Sequence, residues 1–206
     1  MENQAPSQVP PTPAKPFTRE EAMAIVNKYL KNPNLIKHSL AAEAAMKGIY
    51  THLYFGKPEY NEADLQTWGI TGLLHDADYD ISKGQPEIHG LLLFDNEKGI
   101  PPGIKHAVMA HNPATGVKPQ NQMDWGIRCA DQLTGLIVAA TLVHPDRKLA
   151  SITPEFVLNR MNEKSFAKGA DREPIKQCQE KLNIPLEQFI GIIPKAMQGI
   201  STELGL

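Results

Sequence analysis

The sequence has few of the features that mark nucleic-acid binding, secretion or a disulfide framework. Its two cysteines, Cys129 and Cys178, lie far apart and form no Cys-x-x-Cys pair, so the sequence suggests neither a zinc ribbon nor disulfides. Free thiols of this kind are typical of a reducing compartment. The formal net charge is only −2, which gives no basic field for nucleic acid or anionic membranes. We therefore expect no nucleic-acid partner.

Long apolar runs are also missing. The longest, residues 136–143, is far shorter than the roughly 20 residues that a membrane-spanning helix needs. Residues 1–16 are polar and contain five prolines, without the apolar segment of a secretory signal. We interpret them as a disordered arm, with a ligand for a proline-recognition domain as the alternative. The sequence thus predicts a cytoplasmic protein with no membrane partner.

The sequence does contain helical patterning throughout. Its 206 residues are 41% hydrophobic and 21% charged, as in a soluble domain with room for an extension. Apolar residues recur at helical spacing, and no run of strand length alternates between apolar and polar. We therefore predict an all-α fold, a helical bundle with a C-terminal helical extension. The predicted helices begin near Thr18, Leu35, Glu62, Pro86, Pro101, Asp124, Thr153, Asp171 and Leu186.

Local signals set several of these helix boundaries. Thr18 and Glu21 form a capping-box pattern at the first helix, and Asn61 is the expected N-cap of the third. We expect the segment after the third helix to be a polar loop. The next helix, which begins at Pro86, is predicted to include His89.

The side chains that can bind a metal form an ordered series of His, His-Asp, His, His and Asp. His75 and Asp76 end an apolar helix, and Asp131 lies within another helix on the same face as Ile127 and Thr134. An ionised carboxylate in such surroundings is costly unless a cation accompanies it. Imidazole and carboxylate together suit a first-row transition metal. The candidate residues are His38, His75, Asp76, His89, His106, His111 and Asp131.

This series resembles the signature of the HD superfamily of metal-dependent phosphohydrolases. The motifs are Leu-Ile-Lys-His-Ser-Leu around His38, Gly-Leu-Leu-His-Asp ending at Asp76, and Cys-Ala-Asp-Gln-Leu-Thr-Gly around Asp131. Ile-His-Gly around His89 and Met-Ala-His-Asn around His111 are similar to motifs of the six-ligand, two-metal subgroup. The resemblance covers residues 18–145 and is greatest to small predicted bacterial HD hydrolases, for which it implies no particular substrate.

The resemblance implies an enzyme with one or two divalent transition-metal ions, either Fe, Mn, Ni, Co or Zn. A metal-activated hydroxide would attack a small-molecule phosphomonoester or phosphodiester, a nucleotide being the favoured class, with Asp76 and His75 as catalytic residues. The sequence has no Gly-x-Ser-x-Gly motif that would indicate a protein nucleophile. The implied ligands are His38, His75, Asp76 and Asp131 for one metal, and His89, His111 and a bridging Asp76 for the other.

Residues that would bind the phosphate are less clearly indicated. Many relatives carry a lysine three residues after the His-Asp pair, and this position is Tyr79 here. Candidate substitutes are Arg128, which lies one helical turn before Asp131, together with Lys37 and Lys105. A solvated or structural cation is the alternative interpretation of each.

Two further ambiguities concern residues beside the expected ligands. His106 and His111 are five residues apart, about 140° around a helix, so one metal should not take both. We expect His111 to be the ligand and His106 to line the pocket as a substrate-binding residue or to lie on the surface. We interpret Asp78 and Asp80 as loop carboxylates, with the orientation of a ligand histidine as the alternative.

Three domains and three functions follow as hypotheses. We assign residues 1–16 to the arm, 17–145 to the metal-binding domain and 146–206 to the C-terminal extension. The extension is expected to pack over the domain or to mediate a homodimer. The alternatives to hydrolysis are a mixed-valent di-iron oxygenase of the HD type and a non-catalytic module that binds a nucleotide.

Overall fold

The computed structural model describes residues 16–206, so the predicted arm lies almost entirely outside the described residues. The described chain consists of α-helices, two short 3-10 turns and loops, without a strand, and the all-α prediction is confirmed. The helices are α1 (Arg19–Tyr29), α2 (Pro33–Tyr54), α3 (Glu62–Leu74), α4 (Tyr79–Ser82), α5 (Leu92–Asn96), α6 (Pro102–His111), α7 (Gln122–Val143), α8 (Pro154–Asn162), α9 (Arg172–Lys176), α10 (Cys178–Lys181), α11 (Leu186–Gln198) and α12 (Ser201–Leu204).

The N-caps predicted at Thr18 and Asn61 are confirmed, whereas α2 and α7 begin two residues before their predicted starts, at Pro33 and Gln122. The Thr18 hydroxyl accepts a hydrogen bond from the Glu21 amide, and the Glu21 carboxylate accepts one from the Thr18 amide. The side chain of Asn61 accepts from the backbone amide of Asp64 at the start of α3. Each cap satisfies amides that the first turn of a helix leaves without intrahelical partners.

The helix predicted from Pro86 is wrong. Residues 86–91 form turns, and the helix starts only at Leu92. Gly90 has a φ of +88°, and a Cβ there would lie 3.0 Å from Val108 O of α6. The chain therefore turns sharply where it contacts α6, and a regular helix could not make this turn. His89 lies on the turn and not on a helix. The polar loop predicted before it contains the short helix α4.

A close approach of two helices positions the first pair of histidines. A Cβ on Gly72 of α3 would lie only 2.4 Å from Ala42 O of α2. This distance is too short for a nonbonded contact, so no other residue fits at this position. Glycine at this position lets the backbones of the two helices meet. His75, three residues beyond Gly72, is thereby brought beside His38 near the start of α2.

Two apolar clusters form the core. One combines buried side chains of α2 and α7 with those of α8 to α12, and the other combines α1, α3, α5 and α6. Asp131 directly follows Ala130 of the first cluster, and His75 directly follows Leu74 of the second, so each cluster anchors part of the ionisable group. By length and composition α7 is the one described helix that could cross a membrane. The protein buries 56% of its most apolar window, as expected of a core helix.

Candidate metal centre

Five separate segments deliver the candidate ligands to one place. His38 lies near the start of α2, and His75 and Asp76 directly follow α3. The remaining ligands are His89 on the turn before α5, His111 at the end of α6 and Asp131 in the middle of α7. The helix packing described above therefore brings all six predicted ligands together.

The first group of donor atoms consists of the Nε2 atoms of two histidines and one oxygen from each of two aspartates. His38 Nε2 lies 3.0 Å from Asp131 Oδ1 and 3.2 Å from His75 Nε2. His75 Nε2 lies 3.5 Å from Asp131 Oδ1, and both imidazoles lie 3.4 Å from Asp76 Oδ2. An ion about 2.1 Å from each donor separates neighbouring donors by about 3.0–3.4 Å. The group could therefore hold a metal ion.

The second group uses the other oxygen of the same aspartate. His89 Nε2 lies 3.0 Å from Asp76 Oδ1, and His111 Nε2 lies 3.6 Å from it. These three residues could also hold a metal ion. Oδ1 and Oδ2 of Asp76 therefore face different pairs of histidines, and the residue belongs to both groups.

Backbone carbonyls fix the orientation of two imidazoles. His75 Nδ1 lies 2.8 Å from Gly72 O, and His111 Nδ1 forms a short hydrogen bond with Val108 O. A carbonyl oxygen only accepts, so in each ring the Nδ1 carries the hydrogen. In the neutral ring the lone pair of Nε2 is then directed at Asp76.

Side chains orient the other two imidazoles in the same way. His89 Nδ1 lies 2.8 Å from Asp78 Oδ1, and Asp78 is almost fully buried. His38 Nδ1 lies 3.3 Å from the Thr134 hydroxyl, which itself donates to Asp131 O. The hydroxyl therefore accepts from His38, and all four rings direct Nε2 towards the two aspartates. This is the arrangement that metal-binding histidines require.

The electrostatics of the cluster favour a cation. Burial disfavours charge on His38, but hydrogen bonds with Asp131 and Asp76 outweigh it and raise its pKa to about 9. Burial likewise disfavours charge on His89, and Asp76 and Asp78 nevertheless raise its pKa to about 9. Burial disfavours charge on Asp131 as well, yet its pKa is lowered by the hydrogen bonds with His38 and His75. Protons and metal ions therefore compete for the same Nε2 positions.

The cluster lies at one side of a cavity of about 520 Å³, a size typical of small-molecule sites. Part of the wall comes from Ala167, Gly169 and Ala170, in the loop between α8 and α9. Gln132 connects this loop to the cluster, because it donates to Asp131 Oδ2 at 2.8 Å and accepts from the Asp171 amide at 3.0 Å. The position of the wall is thus coupled to a candidate ligand.

The predicted substrate-binding residues do not line this cavity. Arg128 donates to Ala110 O at 3.2 Å, and Lys105 Nζ lies 5.4 Å from the centre of the Phe94 ring. Such contacts give both cations structural partners within the fold. His106 Nδ1 lies 2.9 Å from Asp124 Oδ2, again away from the cluster. Lys37 lines a neighbouring cavity instead.

Several residues at the site were missed or misinterpreted from the sequence. Asp78 does not solvate the loop, since it accepts hydrogen bonds from the Gly90 and Leu93 amides while it orients His89. The alternative interpretation, orientation of a ligand histidine, agrees with these contacts. The amide of Asn112 donates to His89 O at 2.9 Å and fixes the turn from the other side. The sequence gives no sign of the Asp78 and Asn112 contacts, except that each residue lies within three positions of a predicted ligand.

Comparisons with models of protein families, with curated proteins and with solved structures returned no match. The protein's own residues define it as a helical protein with a buried His/Asp cluster that could bind metal. The resemblance to the HD superfamily stays a prediction.

Proposed function

We propose that this protein is a metal-dependent phosphohydrolase of the HD type, which cleaves a phosphomonoester or a phosphodiester. The observation that carries the proposal is the position of Asp76. Its Oδ1 and Oδ2 atoms each face a separate pair of imidazoles at 3.0–3.6 Å. A carboxylate shared between two ion positions is typical of two-metal hydrolytic sites.

The charge around the cavity supports an anionic substrate once metal is present. Two divalent ions would outweigh the three aspartates Asp76, Asp78 and Asp131, leaving the centre positive. Among the described residues that line the cavity there is no lysine or arginine, so the ions would be the main cations available to a phosphate. Bound ions supply Lewis acidity and an attacking water that is activated at neutral pH.

The protein residues have holding and orienting roles in this proposal. The imidazoles of His38, His75, His89 and His111 offer Nε2, and their Nδ1 partners keep the rings from rotating. The low exposure of Asp76 and His75 strengthens electrostatic interactions with a bound phosphate. No protein nucleophile is needed for this chemistry.

Metal loading followed by a substrate panel tests the proposal. The purified chain is loaded in turn with Mn, Fe, Co, Ni and Zn, and its metal content is determined by elemental analysis. Phosphate and alcohol release are then measured with p-nitrophenyl phosphate, bis(p-nitrophenyl) phosphate and a set of nucleotides. We expect metal-dependent turnover in the wild type and its loss in Asp76→Asn.

Asp95→Asn is the matched control, because Asp95 is an exposed carboxylate outside the cluster. Full turnover by metal-loaded Asp76→Asn would overturn the proposal. Absence of phosphoester hydrolysis with every metal would also overturn it. Oxygen consumption by the iron form would then favour the oxygenase alternative.

A further inference from the structure

A second cavity adjoins the metal cavity. It has a volume of about 420 Å³ and shares His38 and Gly135 with the first. Its other lining residues include Val138, Leu142, Leu204 and Leu206. The metal cavity is polar at the cluster, whereas the second one presents mainly aliphatic side chains beyond Gly135.

Gly135 separates the two cavities, and the packing of α7 gives no reason for a glycine there. The residue lies one helical turn after Asp131, within the interior of a 22-residue helix. Glycine at such a position makes a helix less stable than alanine would. A Cβ on Gly135 would meet nothing within 4 Å. By contrast, a Cβ on Gly126 of the same helix would lie 2.9 Å from the Trp68 ring. Packing therefore explains the glycine at position 126 but not the one at position 135, where the absence of a side chain leaves room between the two cavities.

The far wall of the second cavity is apolar and open to solvent. Leu142 is 53% exposed, although aliphatic side chains of this size are normally buried. Val138 lies one turn before it on the same helix face and lines the same cavity. Lys37 is exposed, so its ammonium can stay in water while its methylene stem extends the apolar wall. Asn34, the other polar residue of this wall, is also exposed, so the surface is suited to an elongated, mainly apolar group.

We propose that the alcohol part of the substrate crosses Gly135 and lies in the second cavity. The substrate class is then a phosphoester of an elongated, mainly apolar alcohol, with its phosphate at the metal centre. This inference rests on the proposed function. In the hydrolysis, a water oxygen forms the new bond to phosphorus and the P–O bond to the alcohol breaks. The alcohol leaves with the proton that the water gives up.

A series of alkyl phosphates from methyl to octyl tests the inference. The metal-loaded protein is assayed by release of inorganic phosphate, and kcat/KM is compared along the series. Each buried CH2 group should raise kcat/KM about fourfold until the cavity is filled. Gly135→Leu, which fills the passage, should reduce the octyl-to-methyl ratio of kcat/KM at least tenfold.

Leu142→Asp is the second variant, because it changes the far wall without approaching the cluster. Val143→Asp is its matched control, since Val143 is 56% exposed and lies outside the lining of the second cavity. We expect Leu142→Asp to lower kcat/KM for octyl phosphate several-fold while Val143→Asp does not.

Equal kcat/KM along the wild-type series would overturn the inference, as would equal effects of Leu142→Asp and Val143→Asp. Either result would leave the proposed function standing. If no phosphoester of the alkyl series or of the earlier substrate panel is hydrolysed with any metal, the proposed function itself fails and the substrate class falls with it.

Discussion

Two buried carboxylate clusters in this protein differ in where their cations come from. Glu43 of α2 is nearly buried and receives two bonds from Arg19, at 2.6 and 2.8 Å, and one from Lys47 at 2.7 Å. Asp76 and Asp131 face imidazole nitrogens instead. The Glu43 cluster carries its own permanent positive charge. The Asp76 cluster has no permanent positive charge, so its carboxylates are neutralised only when the cluster takes up protons or metal ions.

This difference separates a structural ion pair from a cluster that could hold a metal ion. Arginine and lysine stay charged over the ordinary pH range and cannot be displaced by metal. Neutral imidazole is a metal ligand, and its protonation competes directly with coordination. Burial alone therefore does not identify a site, since both carboxylate clusters are buried. What distinguishes the two clusters is the type of side chain that pairs with the carboxylates.

The largest expected effect comes from Asp76→Asn. This change replaces one carboxylate oxygen of the residue that both donor groups share with an amide nitrogen and removes its negative charge, and we expect metal content to fall to background. Phosphoester turnover should fall by about 10³-fold or more, since metal assistance supplies several kcal/mol of transition-state stabilisation. Elemental analysis and phosphate release measure the two effects. Glu43→Gln is the comparison, and it should leave metal content unchanged; equal metal loss in both variants would remove the distinction between the clusters.

The pH dependence of stability should also distinguish the clusters. The folded-state pKa of His38 and of His89 is raised to about 9 from an ordinary value of 6.5. Stabilisation by their protonated forms is complete below pH 6.5 and is lost as pH rises towards 9. The metal-free protein should therefore have a lower thermal unfolding temperature at pH 9 than at pH 6.5.

Metal ions take the place of the protons, so adding metal should reduce this loss at pH 9. Glu43→Gln should show the same pH dependence as the wild type, because the change leaves the contacts of His38 and His89 with the aspartates in place. A metal-free wild type with equal stability at pH 6.5 and pH 9 would contradict the assigned electrostatics.

A smaller effect is expected from Asp78→Asn. Loss of the carboxylate weakens the hold on His89 Nδ1, and changes of this kind typically cost 10–100-fold in metal affinity. The weakening should affect one of two binding steps in a titration with Mn²⁺. Asp80→Asn is the control, because among the described residues the Asp80 carboxylate accepts from the backbone amides of Lys31 and Asn32 and not from a histidine. Equal weakening in both variants would exclude an orienting role for Asp78.

The smallest effect is the loss of stability in Glu43→Gln. Removing a buried partner leaves uncompensated charge, but the Arg19 side chain is 43% exposed and can be hydrated. We expect a cost of about 1–2 kcal/mol, below the range for fully buried pairs. Denaturant unfolding measures it, with Glu20→Gln as a control on the exposed face of α1. A cost below that of Glu20→Gln would show that the Glu43 cluster is not structural.

Local signals made much of the helical fold predictable. The caps at Thr18 and Asn61 depend on atoms within three residues, so the sequence alone specifies them. The ordered His and Asp residues were recognisable because each ligand type limits the possible chemistry. Their convergence could not be derived from spacing, since it depends on the close approach of α3 and α2 at Gly72.

Contacts between distant segments explain the errors. The turn at His89 is held by Asp78 and Asn112, which lie 11 and 23 residues away in the sequence. The hydrogen bonds of Asp78 to the Gly90 and Leu93 amides replace those of a helix. The cavity wall at 167–170 belongs to a segment predicted only as an extension. Arg128 was a poor candidate for substrate binding because its long, flexible side chain can reach a nearby backbone carbonyl instead, here Ala110 O.

Anomalous diffraction from manganese-loaded crystals tests the central claim most directly. Two manganese peaks should lie on either side of Asp76, one near the Nε2 atoms of His38 and His75 and the other near those of His89 and His111. Crystals loaded with manganese that show no peak within coordination distance of Asp76 would contradict the account.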